Sequence, residues 1–265
     1  MLFEERFIFI PVRYPEGNWE PQGVEYEEFW LPSAGGITIH GWFCRHPEAV
    51  ATIHWSHGNT GNITHRIEEV RIWQQYLPVN VLLYDYRGYG RSEGVPSEDG
   101  LYADARASYR WLVDTKGIAP EQIVLFGRSL GSAVACYLGT QVPHACLVME
   151  AGFTSAVAMG ELMFPWLPIR RFLRNRFETE RRIQQYRGRV LIIHGTSDSV
   201  IPFEMGRRLY ELAAEPKEFF AVEGADHTDV PLVAGEQYFR RLAAFFRTAE
   251  LPIPQRAVAP APSVS

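Results

Sequence analysis

Residues 122–140 read QIVLFGRSLGSAVACYLGT, an apolar run and a small-residue segment with the pattern GxSxG between them. The run 122–126 is typical of a buried strand, and residues 129–140 are typical of a helix. In GxSxG, at 127–131, the two glycines lack the Cβ atoms that would clash in a sharp turn from strand to helix. Such a turn exposes its serine at the end of the strand, which makes Ser129 a candidate nucleophile.

Outside this turn, short apolar runs alternate with longer segments of helical period. The apolar runs are 51–55, 79–84, 122–126, 145–149, 190–193 and 218–222, and the helical segments are 63–76, 97–116, 129–141, 203–214 and 231–246. Two earlier runs, 24–31 and 37–43, flank Ala34-Gly35-Gly36 and predict an N-terminal antiparallel hairpin. The alternation predicts an α/β fold with a mainly parallel sheet of eight strands and helices on both faces.

One domain is expected over residues 1–250, because 265 residues with 46% hydrophobic content can bury one large core and no Ser/Gly linker divides them. The interval between the runs 145–149 and 190–193 holds about forty residues, too many for a plain connection. We expect a small helical cap or lid at about 153–187, and the alternative is an ordinary packed pair of helices. Residues 251–265, rich in proline and alanine, are predicted to be a disordered tail.

The charge of the chain argues against some partners. A formal net charge of −5 and a pI near 5.9 are untypical of a nucleic-acid binder. Six arginines form a local basic patch, interpreted as a solvated face with an anion or membrane contact as the alternative: Arg170, Arg171, Arg174, Arg176, Arg181 and Arg182. No apolar stretch has the length of a membrane span, so stable membrane insertion is not expected.

Cysteine usage and the N-terminus indicate a reducing, cytoplasmic setting. The three cysteines are odd in number and lack CxxC spacing, which argues against a disulfide framework or a zinc site. The apolar run 7–10 is too short for a secretory signal and follows charged residues. His54 and His57 form HxxH, but a strand and its exit lack the helical spacing of a metal pair. We therefore predict no metal and no other cofactor.

A serine hydroxyl becomes an effective nucleophile when a histidine accepts its proton and a carboxylate orients that histidine. Asp198 follows the strand run 190–193, and His227 follows the next run and its turn. The carboxyl ends of parallel strands meet at one edge of a sheet, so we predict that Asp198 and His227 lie beside Ser129 there. Asp226 is the alternative acid, in which case Asp198 caps a turn.

A tetrahedral intermediate also needs hydrogen-bond donors for its oxyanion. The first predicted donor is the backbone N–H of Leu130, directly after the nucleophile. The second is the N–H of Asn59 in the glycine-containing loop 56–62, with Thr60 as the fallback and a merely flexible loop as the alternative. His194 is interpreted as a residue that stabilises a loop rather than as the base.

Several motifs around these residues resemble those of a known family. They are HGN at 57–59, YDYRGYGRS at 84–92, PSE at 96–98, LYAD at 101–104, IIHGTSD at 192–198 and GADH at 224–227. Together they resemble the serine hydrolases of the α/β-hydrolase fold, and more narrowly the branch with the eukaryotic protein depalmitoylases and their bacterial relatives. The resemblance spans about residues 24–247. It implies a triad of Ser129, Asp198 and His227, with Asn59 and Leu130 as oxyanion donors.

The function that the resemblance implies is that of a serine carboxylesterase or thioesterase, acting through an acyl-enzyme on a small-molecule or acylated substrate. The alternatives are a catalytically silent scaffold that binds a ligand or partner, an acyltransferase, and a peptidase with the same triad. One departure bears on the thioesterase reading. The membrane-bound depalmitoylases carry a cysteine-rich, lipidated N-terminus, and the first twenty residues here contain no cysteine.

The predicted substrate pocket combines residues near the strand ends with residues of the cap. Its members are Thr60, Arg128, Phe153, Thr154, Met163, Phe164 and Trp166. Phe153 and Thr154 follow a strand and are expected to line the acyl pocket, whereas the last three are expected in a lid. Arg128 either favours a polar or anionic substrate or pairs with a carboxylate such as Glu150.

Overall fold

A computed structural model describes residues 5–255 and is built around one large sheet. The strands are β1 Ile10–Pro11, β2 Tyr26–Ser33, β3 Ile37–Cys44, β4 Ala51–Ser56, β5 Thr60–Gly61, β6 Val79–Tyr84, β7 Ile123–Arg128, β8 Cys146–Glu150, β9 Val190–Gly195 and β10 Lys217–Val222. The large sheet has eight strands in the order β10-β9-β8-β7-β4-β6-β3-β2. Strands β1 and β5 form a separate parallel pair.

The pairing confirms the predicted fold class. Strand β3 pairs antiparallel with β2, as the hairpin prediction requires, and also with β6. All other neighbours in the eight-stranded sheet are parallel. The central strands β4, β7, β8 and β9 are buried along their whole length, which explains why they read as continuous apolar runs rather than alternating ones.

Helices cover both faces of the sheet. They are α1 Glu5–Ile8, α2 Ile67–Tyr76, α3 Glu98–Arg110, α4 Leu130–Gly139, α5 Ala156–Met163, α6 Ile169–Phe172, α7 Thr179–Ile183, α8 Phe203–Leu212, α9 Val230–Ala234 and α10 Glu236–Thr248. Successive residues of β7 point to opposite faces, so Leu125 packs in the core with α3 and α4, and Phe126 packs in the core with α2 and α10. Two hydrophobic cores therefore enclose the strand that leads to Ser129.

The segment predicted as a cap contains the three short helices α5, α6 and α7. Helix α7 packs against α4 and α8, and Phe177 and Ile183 are fully buried, so the last third of the segment belongs to the body of the fold. Helices α5 and α6 pack against each other and carry several exposed apolar side chains. The prediction of a cap is therefore narrowed to the first two helices, α5 and α6.

The chain end differs from the predicted tail. Leu251 and Ile253 are each only 3% exposed and pack into the core with α10, so the predicted boundary at residue 251 is wrong. These two apolar residues, although surrounded by prolines, bury enough surface to be held against the domain. The rest of the predicted tail, 256–265, lies outside the described residues. Between residues 5 and 255, no helix combines the length and the apolar character needed to cross a bilayer.

Candidate active site

Ser129 occupies a strained turn between β7 and α4. Its backbone φ is 55° with ψ at −121°, a conformation that residues with a Cβ rarely adopt. The two flanking positions must be glycine because neighbouring backbone atoms lie too close for a Cβ atom. A Cβ on Gly127 would stand 2.1 Å from the carbonyl oxygen of Gly131, and one on Gly131 would stand 1.9 Å from that of Ser56. The GxSxG pattern thus reflects the space available in the turn.

The side chains of Ser129, His227 and Asp198 form a hydrogen-bonded chain. The Ser129 Oγ lies 3.1 Å from His227 Nε2, and His227 Nδ1 lies 2.8 Å from Asp198 Oδ2. The Asp198 side chain is fully buried, and that of His227 is only slightly exposed. In the neutral histidine with the proton on Nδ1, the ring donates to Asp198 and accepts from the serine hydroxyl. The predicted meeting of these three residues at the strand ends is found.

Asp198 is held in its ionised form. Its Oδ1 accepts hydrogen bonds from the backbone N–H groups of Val200 and Ile201, at 2.9 and 2.7 Å. Burial alone would raise the pKa of this carboxyl, but hydrogen bonds from His194, His227 and Ile201 outweigh it and hold the pKa well below its usual value. Asp198 is therefore a fixed negative charge behind His227.

Asp226, the alternative acid, holds two loops together instead of orienting His227. Its carboxylate accepts from the backbone N–H and the hydroxyl of Ser199, and from the backbone N–H of His227. It therefore connects the loop after β9 to the loop after β10. The imidazole of His227 is bonded by Asp198 instead.

His194 lies closer to this site than the sequence suggested. Its Nε2 is 2.9 Å from the carbonyl of Ile201 and 3.3 Å from Oδ2 of Asp198, and its ring is fully buried. The prediction of a loop-stabilising residue omitted the contact with Asp198. The spacing His-x-x-x-Asp across the end of β9 was the available signal, because a sharp turn there folds the two side chains together.

The loop after β4 lies directly against Ser129. A Cβ on Gly58 would stand 3.6 Å from the Cβ of Ser129, so this loop borders the nucleophile. His57 Nδ1 is 2.7 Å from the carbonyl oxygen of Gly58. That carbonyl belongs to the same planar peptide unit as the N–H of Asn59, so the histidine fixes the direction of the N–H predicted as an oxyanion donor.

His57 acts there as a neutral donor. Its ring is buried against Tyr86 and Tyr89, and burial, aided by the nearby Arg66, lowers the pKa of His57 to about 3. The hydroxyl of Tyr86 donates to the His57 carbonyl and that of Tyr89 donates to the Asn59 carbonyl, each at 2.8 Å. The loop is therefore braced from several sides, which was not visible in the HxxH pattern.

The second predicted donor, the N–H of Leu130, is the first N–H of helix α4. The first N–H groups of a helix have no acceptor within it and attract negative charge. Thr60, the fallback, is exposed, and its hydroxyl is bonded to the Asn59 side chain.

The predicted pocket residues fall into two groups. Phe153 and Thr154 are buried, and Phe153 packs in one core with Leu130. Met163 and Trp166 are exposed, and Phe164 is half-buried with its ring against that of Trp166. Only the first group is buried in the body of the fold.

Arg128 is not a pocket residue, and this part of the prediction is wrong. Its guanidinium donates to the carboxylates of Glu150 and Glu69, and it lies over the ring of Trp55. The alternative of an ion pair with Glu150 is the one found. As the last residue of β7, Arg128 continues the alternation of Val124 and Phe126 and therefore points into the core beneath α2 and α10.

The comparisons with known proteins agree with this architecture. The family model of the alpha/beta hydrolase fold matches residues 56–179. The uncharacterized protein Rv2307c of Mycobacterium tuberculosis is 40% identical over 234 residues, which cover 88% of this chain and 83% of that protein. The alpha/beta hydrolase domain-containing protein WAV2 of Arabidopsis thaliana is 33% identical over 267 residues, covering 90% and 85%.

Among solved structures, the esterase Pf2001 of Pyrococcus furiosus superimposes with a TM-score of 0.75 at 22% identity, covering 90% of this chain and 98% of that one. At this identity the likeness concerns the fold. Together with the strand order and the two relatives that match most of the chain, it leads to one conclusion. This chain belongs to the alpha/beta hydrolase fold family.

Proposed function

We propose that this protein is a serine hydrolase that cleaves carboxylic ester or thioester bonds through an acyl-enzyme. The observation that carries the proposal is the chain of hydrogen bonds from Ser129 through His227 to Asp198, at 3.1 and 2.8 Å. A hydroxyl, a base and an orienting carboxylate in this order are the parts that acyl transfer to serine requires.

In the first half-reaction, the Ser129 oxygen attacks the substrate carbonyl carbon while His227 Nε2 accepts the hydroxyl proton. The oxyanion then receives hydrogen bonds from the backbone N–H groups of Asn59 and Leu130. Loss of one such donor typically costs about 3–4 kcal/mol of barrier reduction. The intermediate collapses to an ester with Ser129, and His227 returns its proton to the departing alcohol or thiol.

In the second half-reaction, a water molecule attacks the acyl-enzyme and His227 accepts its proton. A second tetrahedral intermediate uses the same two N–H groups. Its collapse releases the carboxylic acid, and the proton on His227 returns to the Ser129 oxygen. Throughout both steps the ionised Asp198 stabilises the imidazolium and keeps His227 in the required orientation.

The strain at Ser129 favours an enzyme over a silent scaffold. A serine held at a positive φ costs about 1–3 kcal/mol, and a fold that only binds a partner gains nothing from it. The resemblance to the depalmitoylase branch favours thioesters among the possible substrates.

A kinetic panel of p-nitrophenyl esters, acyl thioesters and aminoacyl amides tests the proposal. We expect turnover of an ester or thioester, and a loss of about 10⁵-fold in kcat/KM for Ser129→Ala. Turnover of amides alone would indicate a peptidase, and acyl transfer to an added alcohol would indicate a transferase. Absence of turnover in the whole panel would favour the scaffold.

A further inference from the structure

The surface formed by α5, α6 and their connection carries several large apolar side chains in contact with solvent. We call this surface the cap tip and define it as residues 162–172. Its exposed apolar members are Leu162, Met163, Trp166, Leu167 and Phe172. Trp166 is 74% exposed and Phe172 is 72% exposed. Adjacent exposed apolar side chains of this size mark an interaction site rather than ordinary surface.

The cap tip is an ordered arrangement of packed helices. Gly160 of α5 allows close contact with α6, since a Cβ there would stand 2.7 Å from Cγ2 of Ile169. Glu161 and Arg170 form an ion pair of 3.1 Å between the same two helices. The Phe164 ring packs edge-on against that of Trp166, with 6.0 Å between centroids. The apolar side chains are therefore held outward by the fold.

The charge of this region is opposite to that of the whole chain. Residues 162–172 contain two arginines and no aspartate or glutamate, a net charge of +2, whereas the full chain carries −5. Arg170 and Arg171 lie on α6 beside the exposed Phe172. Arginines next to exposed aromatic and aliphatic side chains are the composition of surfaces that bind anionic lipid headgroups and the adjoining acyl region.

The N-terminal segment links the cap tip to a loop of the candidate active site. Phe164 packs against Phe7, with 5.5 Å between ring centroids, and the backbone N–H of Ile10 donates to the carbonyl of Asn59 at 3.1 Å. Phe7 and Ile10 are themselves exposed. The segment 7–10 thus connects the cap tip to the loop that borders Ser129.

We infer that the cap tip docks this protein on the surface of an anionic lipid bilayer. Trp166 and Phe172 enter the boundary between headgroups and acyl chains, where tryptophan is favoured, and Arg170 and Arg171 contact the lipid phosphates. The protein lies on the bilayer and does not span it. The docking itself does not depend on the proposed hydrolysis.

Co-sedimentation with vesicles tests this inference. One vesicle preparation consists of phosphatidylcholine alone, and the other contains phosphatidylcholine and phosphatidylserine in equal parts. We expect binding to the second and at least about tenfold weaker binding of the double variant Trp166→Ser, Phe172→Ser. Arg171→Gln should weaken binding to the anionic vesicles by about fivefold.

Two controls accompany these variants. Trp30→Ser removes the other exposed tryptophan of the described residues, on the edge strand β2, and should bind as the wild type does. Ser129→Ala should also bind normally, which separates this result from the outcome of the kinetic panel.

Three results would overturn the inference. They are no binding to anionic vesicles, equal binding to both preparations, and unchanged binding of the double variant. Sedimentation velocity without lipid distinguishes lipid binding from self-association. A dimer that the double variant loses would identify the cap tip as an interface between two copies of this chain.

Discussion

Arg128 and Ser129 are neighbours in the chain, yet their side chains belong to regions of opposite kind. Arg128 lies in a buried cluster with Glu150, Glu69 and Tyr238, where each carboxylate has a partner and the Tyr238 hydroxyl donates to Glu150 at 2.5 Å. Ser129 lies at the open edge of the sheet in a chain of hydrogen bonds.

The difference shows how one strand end serves stability and chemistry together. The backbone N–H of Ser129 donates to the carbonyl of Glu150 at 2.9 Å, so the residue that pairs with Arg128 also anchors the turn of the nucleophile. The positive φ of Ser129 then directs its side chain away from the cluster. Changes in the buried cluster should reduce stability first, and changes at the edge should reduce activity first.

Arg128→Met gives the largest expected effect on stability. It leaves Glu150 as a buried charge without its cationic partner, so the free energy of unfolding should fall by about 3–5 kcal/mol in urea titrations. Adding Glu150→Gln removes the unpaired charge and should restore part of this loss. An Arg128→Met variant as stable as the wild type would show that the cluster is not structural.

The second prediction concerns His54, another buried group that contributes to stability rather than to chemistry. It is tested by unfolding at acid pH. Burial lowers the pKa of His54 to about 3, against 6.5 for an unperturbed histidine. Between pH 3 and 6.5, the unfolded chain therefore binds a proton at His54 that the folded chain does not. The contribution of neutral His54 to the free energy of unfolding is complete above pH 6.5 and is lost as the pH falls from 6.5 towards 3. The free energy of unfolding should fall by about 1.4 kcal/mol per pH unit through this group.

The comparison variant for this experiment is His54→Gln, which cannot take up the proton. Between pH 6.5 and the acid transition, its free energy of unfolding should depend on pH less steeply than that of the wild type by the stated amount. Parallel curves for the two proteins would contradict the assignment of His54 as a buried neutral group.

The next prediction concerns the active-site edge of the sheet, where His194 contacts the carboxylate that orients His227. His194→Phe removes the Nε2–H group that is shared between the Ile201 carbonyl and Asp198, and a hydrogen bond to a charged group contributes about 1.5 kcal/mol, so kcat should fall about tenfold. His194→Gln keeps a nitrogen donor near the same place and should recover most of the activity. Equal kcat values for the two variants would exclude a positioning role.

The smallest expected effect concerns the strain at Ser129. Ser129→Gly places the residue that tolerates a positive φ in the turn, so the free energy of unfolding should rise by about 1 kcal/mol while hydrolysis is lost. Ser129→Ala loses the hydroxyl but keeps the strain, and is the matched control in the same urea titration. No difference in stability between the two variants would mean that the turn stores no strain.

Much of this arrangement was accessible from the sequence. The runs before Ser129, Asp198 and His227 predicted three parallel strands, and parallel strands end at one edge, so the meeting of the three side chains followed. The predicted hairpin and the eight-stranded sheet were also found.

The other contacts of the site depend on the direction of individual side chains, which cannot be predicted from the spacing of residues in the sequence. Its position next to Ser129 in the sequence suggests that Arg128 lines the pocket, whereas strand alternation directs its side chain into the core. The contacts of His57 and His194 depend on how two loops fold back on themselves. The average composition of residues 251–265 predicts a disordered tail, but Leu251 and Ile253 are apolar and pack into the core.

Labelling with a fluorophosphonate, followed by mass spectrometry of the modified peptide, tests the central claim most directly. The reagent reacts much faster with an activated serine than with other side chains, so the wild type should carry one label, on Ser129. Ser129→Ala, which should remain folded, should carry none. A label that persists in Ser129→Ala, or that lies on another residue of the wild type, would contradict the assignment of Ser129 as the nucleophile.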